Sequence, residues 1–72
     1  MNYEIISARQ DGETLYTTVS FNFTQGIEEI EVAHFQPASK EEVILGIENR
    51  FVSEQRKRDA AVLNAQILAE LI

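Results

Sequence analysis

His34 is the only imidazole in the chain, Glu28, Glu29 and Glu31 put three carboxylates within four positions, and Arg56-Lys57-Arg58 is a basic run. Each group has residue types that a site needs. An imidazole can act as acid, base or metal ligand near neutral pH, but this one has no second histidine and no cysteine to share a metal. It is expected to be a strand-end side chain. Clustered carboxylates can hold a hard cation, yet the aspartate-rich loop with its central glycine that calcium sites use is missing. These acids are expected to line a solvated strand that resists edge aggregation. The basic run spans about 200° of a helix surface and is flanked by Glu54 and Asp59, so it reads as a solvated face and argues against nucleic acid as a partner. Asn22-Phe23-Thr24 matches a glycosylation acceptor but closes a strand, and is read as a chance match. With no nucleophile and base pair, phosphate loop or repeat, the chain reads as a non-enzyme with no catalytic, cofactor or metal residue.

What the chain can build is limited by its size. A domain of 72 residues buries only about 60% of the surface its unfolded form exposes, so the core is small and help from a partner is plausible. No cysteine is present to staple it. No basic and apolar leader opens the sequence and no apolar run approaches the roughly 20 residues a bilayer requires, so the expectation is a cytoplasmic protein without a membrane partner. The net charge of −6 is uneven. Residues 1–39 hold six acids against Arg9, whereas residues 40–72 hold six acids against five bases and are almost balanced.

Tyr3 to Gln10 is a β-branched and aromatic segment, and Asp11-Gly12 follows as the dipeptide of a tight hairpin turn. From Thr14 to Phe23, Leu15, Thr17, Val19, Phe21 and Phe23 alternate with polar neighbours, a period of two that marks one buried and one wet face. Thr24-Gln25-Gly26 forms a second turn, and Ile27 to Phe35 a third strand with Ile30 and Val32 on one face and Glu29 and Glu31 on the other. Strict alternation puts Ile27 and Phe35 on the acidic side, so the ends of this strand are expected to bend or bulge. Residues 1–36 should make a three-stranded antiparallel meander with Thr14 to Phe23 central. Pro37 then ends the sheet.

Ser39 with Glu42 three residues on is a capping box, and Ala38 with Val43 adds a weak staple, so residues 39–72 begin a helix. Only Gly46 interrupts the strong helix formers, at about 1 kcal/mol relative to alanine. Val43, Ile44, Ile47 and Phe51 form an apolar stripe about 100° wide that can cover the sheet. Continuing that stripe leads to Glu54 and Arg58, so the sheet is expected to end near Phe51 or Val52. Residues 53–59, SEQRKRD, are then a polar spacer. Beyond them, Leu63, Ile67, Leu68 and Leu71 are bulky apolar anchors, and Ala61, Ala65 and Ala69 permit close helix approach. Such a segment is expected either to fold back through a bend within 53–59 or to stay straight and pack on copies of itself or on another protein. The gap holds neither glycine nor proline, and Glu54 with Arg58 sits at helical spacing, which favours the straight helix.

The stretches TTVSFNF, QPASKEE and ENRFVSEQRKRDAAVLNAQILAELI together give a short acidic meander leading into a long helix. This layout resembles small proteins encoded in phage and prophage structural clusters. The resemblance covers most of the chain, transfers no functional residue, and implies a role in virion or tail assembly, either in the cytoplasm of an infected or lysogenic bacterial host or within the virion.

The sequence therefore predicts a single α+β domain of βββα order, a homo-oligomer or a partner of another protein through residues 60–72. An alternative is an acidic regulator that occupies a basic site on another protein with its sheet face.

Overall fold

The computed structural model describes residues 2–37 and 39–72. Three strands, β1 (Tyr3–Asp11), β2 (Thr14–Phe23) and β3 (Gly26–Phe35), precede one helix, α1 (Lys40–Leu71). The strands form one antiparallel sheet in the order β1-β2-β3, so β2 is central. Both connections are two-residue hairpins. In the first, the turn lies one residue later than the sequence suggested: Asp11 still pairs with Thr14, and Gly12 takes φ 62° as the first central residue. A positive φ at that position suits the right-handed twist of the strands and is costly for any side chain with a Cβ. The second hairpin turns through Thr24 and Gln25, with Gly26 at φ 141° opening β3.

The alternation of β2 appears directly in the core. Val19, Phe21 and Phe23 are buried together with Val32 and with Ile47 of α1, while Tyr3, Ile30, Val43 and Phe51 pack around them. The rings of Phe23 and Phe51 stack at 5.5 Å with planes 3° apart, and Phe21 lies 5.5 Å from Phe23. Offset stacking of this kind adds to the area these rings bury.

The bulge expected at the ends of β3 is in β1 instead. β2 and β3 pair without interruption from Thr14 opposite Phe35 to Phe23 opposite Gly26. Ile27 and Phe35 therefore stay on the acidic face, 71% and 77% exposed. Isolated apolar side chains in water are tolerated, whereas breaking a continuous ladder forfeits backbone hydrogen bonds. The register shift falls between Ile5 and Ser7. It inserts Ile6 and moves the following residues to the opposite face, so that Ala8, opposite Thr17, looks toward the core side and Arg9 toward the outer side. There Arg9 pairs with Glu31 at 3.0 Å and stacks over Tyr16.

Ser39 caps α1 in extended backbone, its Oγ accepting from the Glu42 N–H at 3.2 Å. The proposed staple falls on Ala38, outside the described residues. Thereafter α1 is a single unbroken helix of 32 residues, about 48 Å at 1.5 Å per residue. The whole molecule measures 50 × 20 × 19 Å, so the helix sets its long dimension.

Candidate functional site

The sheet holds α1 in two ways, and the second was not expected. The first is the apolar stripe, in which Ile47 is fully buried and Val43 and Phe51 pack beside it. The sequence pattern predicts that the sheet ends near Phe51 or Val52 and that SEQRKRD is a solvated spacer. Instead the sheet contact continues to Asp59 through polar groups. Gln55 Oε1 accepts from the Thr24 N–H at 3.0 Å, and its Nε2 donates to Gln25 Oε1 at 3.0 Å and to Asp59 Oδ1 at 2.8 Å. Gln25 in turn donates to Asp59 at 2.9 Å.

Glu54 is buried, and Arg58 keeps only about a fifth of its side chain in water. Arg58 donates to Glu28 at 2.6 Å and to Glu54 at 3.2 Å while its guanidinium lies 4.0 Å above the Phe23 ring. Lys57 and Arg50 approach the second Glu54 oxygen at 3.4 and 3.5 Å. Partnered this way, two charges continue an apolar stripe without an unpaired buried group. The hydrogen bond from Arg58 is the main reason that the Glu54 carboxyl lies below the usual carboxylate range. Arg58 is raised by its bond to Glu28 first and by Glu54 after it.

Replacing Arg58 with alanine removes the cation over Phe23 and two ion pairs together. The melting temperature is expected to fall by about 5 °C or more in a domain of this size. A transition within 1 °C of wild type would show that the anchor contributes nothing.

His34 is a core residue rather than a strand-end side chain: only 7% is exposed, and Nε2 lies 2.9 Å from Thr17 Oγ1. The ring fits because Gly46 faces it, where a Cβ would meet Nδ1 at 3.3 Å. That close approach is what the glycine inside the helix permits. Burial lowers the His34 pKa below its ordinary 6.5. The unfolded chain therefore takes up a proton more readily, and the stability His34 contributes is full above about pH 6.5 and declines as pH falls toward the folded-state pKa. The urea midpoint should drop between about pH 7.5 and 5.5, and His34→Gln should flatten that slope. Equal slopes in the two proteins would remove the assignment to His34.

The three carboxylates of β3 do not converge. Glu28 reaches Arg58 and Glu31 reaches Arg9. Glu29 stands opposite Ser20 on the outer face with Glu31. Among the described residues no group of His, Asp and Glu is placed to hold a metal ion, and no helix is long and apolar enough to cross a membrane.

The anchor residues of the sequence, Leu63, Ile67, Leu68 and Leu71 with Ala61, Ala65 and Ala69, all lie beyond the sheet on the free end of α1. Every residue from Ala60 to Ile72 is exposed. Leu68 is 58% and Leu71 78% exposed, and none of the four large anchors lies in the core cluster.

No family model, curated protein or solved structure matches the chain.

Sequence reasoning located the projecting tail and missed its anchor. Gln25 bonds to Gln55 and Asp59 across 30 and 34 residues, and only the spacing of Gln55 and Asp59, one helical turn apart, hinted at a shared partner.

Proposed function

We propose that this protein is a non-enzymatic assembly module that associates with further copies of itself through residues 60–72. One observation carries the reading: a continuous, anchored helix projects about 18 Å beyond the sheet with its large aliphatic side chains in water. Burying each of them is worth about 1.5–3 kcal/mol, and several are present. The polar anchor supports this division of labour, since it fixes the direction of the tail relative to the head without using any apolar group of the tail. The layout's resemblance to phage structural-cluster proteins suggests particle or tail assembly as the setting.

Light scattering across a concentration range tests the proposal. A mass of at least twice that of the chain, falling toward the monomer on dilution, is the expected result. A monomer at every concentration would remove self-association.

A further inference from the structure

The head has an unfilled apolar surface of its own. Because α1 packs chiefly on β2 and β3, the core-facing side of β1 is left open. Ile5, Ala8 and Leu15 on the sheet and Val43 and Ile44 on the helix bound a groove there, closed at one end by Pro37. A second cavity lies further along the same side of α1, between Tyr3 of β1 and Glu48, Phe51 and Val52 of the helix.

We infer that this groove is the seat for residues 60–72 of a second copy, and that two copies exchange tails reciprocally about a two-fold axis crossing residues 53–59. The inference rests on the self-association proposed above and adds where the tail docks.

Lengths agree first. The two cavities together follow α1 from Lys40 to Val52, about 18 Å, and the thirteen-residue tail is about 20 Å long. The chain cannot fill its own groove. Leu68 lies about 36 Å along the axis from Ile44, and no glycine or proline interrupts α1 between Ile47 and Leu71.

Area decides between a groove and a second tail. A thirteen-residue helix presents roughly 300 Å² on one side, so two tails packed only on each other bury about 600 Å² in total, short of the ~1,000 Å² that a specific interface needs. Reciprocal exchange makes two tail-in-groove contacts and buries about 1,200 Å². A concave seat also suits a tail that is apolar nearly all round, since it covers more of the circumference than one facing helix does.

The helix pattern fits this arrangement. Taking Val43 as zero and about 100° per residue, Leu45, Val52 and Leu63 fall near 180–200°, next to the Ile44 wall at about 100°, and Ile67, Leu71 and Leu68 follow near 240°, 280° and 340°, so the tail offers apolar side chains round much of its circumference to a concave seat. Leu45, Val52 and Leu63 are all exposed. Along α1 the order is apolar, polar, apolar, which is self-complementary when two helices run antiparallel. With the midpoint near Gln55, Lys40, at the Pro37 end of the groove, comes opposite Glu70 of the other copy. Neither residue has an ion pair within the chain among the described residues. The SEQRKRD stretch is then polar because it anchors the head beneath it and lies where the two helices cross.

The chain has no cysteine, so two single-cysteine chains give a clean test. Ala8→Cys and Leu68→Cys chains are mixed in equal amounts, oxidised mildly and weighed by mass spectrometry. The mixed disulfide dimer is expected to exceed either homodimer several-fold. Predominant Leu68→Cys homodimers, or no disulfide while light scattering still shows a dimer, would overturn the groove seat and leave self-association standing. A wild-type monomer at all concentrations would overturn both. In parallel Ala8→Arg, with an intact head by circular dichroism, should raise the dissociation constant at least about tenfold. An unchanged constant would also overturn the seat.

Discussion

Replacing Leu63 and Ile67 together with aspartate is expected to turn the assembly into monomers while the head keeps its circular dichroism and its cooperative unfolding. Each dimer then carries four changed positions. At about 1.5 kcal/mol for each lost aliphatic contact, before any cost of burying carboxylates, the dissociation constant rises by roughly four orders of magnitude. The head should not notice, because neither residue belongs to the core cluster and the polar anchor ends at Asp59. Sedimentation or light scattering reads the result directly. An unchanged mass would mean that copies meet elsewhere, and loss of the folded head would mean that the tail supports it within the chain.

The parts of this structure that the sequence made legible depend on neighbours a few residues apart. The ten-residue alternation of β2 requires one buried face, and Ser39 before a run of helix formers requires a helix start. The tail was legible for the same reason: once a helix outruns the sheet beneath it, its apolar side chains are exposed whatever the details of docking. Features set by where one element lands on another were not legible. Ile5 and Ile6 are alike, so nothing local says which of them is the inserted residue of the bulge. His34 is buried because Gly46, twelve positions later, leaves room over its ring. The groove exists because α1 lies across β2 and β3 and leaves β1 uncovered, and no periodicity in α1 encodes that choice. The anchor was hidden because a charged pair on an apolar stripe looks like the end of packing until Phe23, Glu28 and the Thr24-Gln25 turn are seen around it.

Ile47→Ala joins the fold to the assembly and should have the largest effect on the folded head. Ile47 is the one α1 side chain that belongs to the buried core, against Val19, Phe21, Phe23 and Val32. Truncating such a residue costs about 2–5 kcal/mol, because the cavity only partly collapses. A domain of this length has a total stability of about 4–11 kcal/mol, so a urea concentration well below the wild-type midpoint should bring the variant to its own unfolding midpoint at 25 °C, and the comparison is made there. If folded copies also bind one another, mass action adds stability that grows with protein concentration. Raising the concentration of Ile47→Ala should therefore refold it, and the urea midpoint of wild type should climb in the same way. In an Ile47→Ala chain that also carries Leu63→Asp and Ile67→Asp, both folding on concentration and the climb in midpoint should vanish. The comparison separates two roles of one helix: its first turns close the core, and on the proposed self-association its last turns add stability only when a second copy is present. A midpoint that ignores concentration in wild type, with Ile47→Ala unfolded at every concentration, would show that the head folds alone and that its tail contributes nothing to stability.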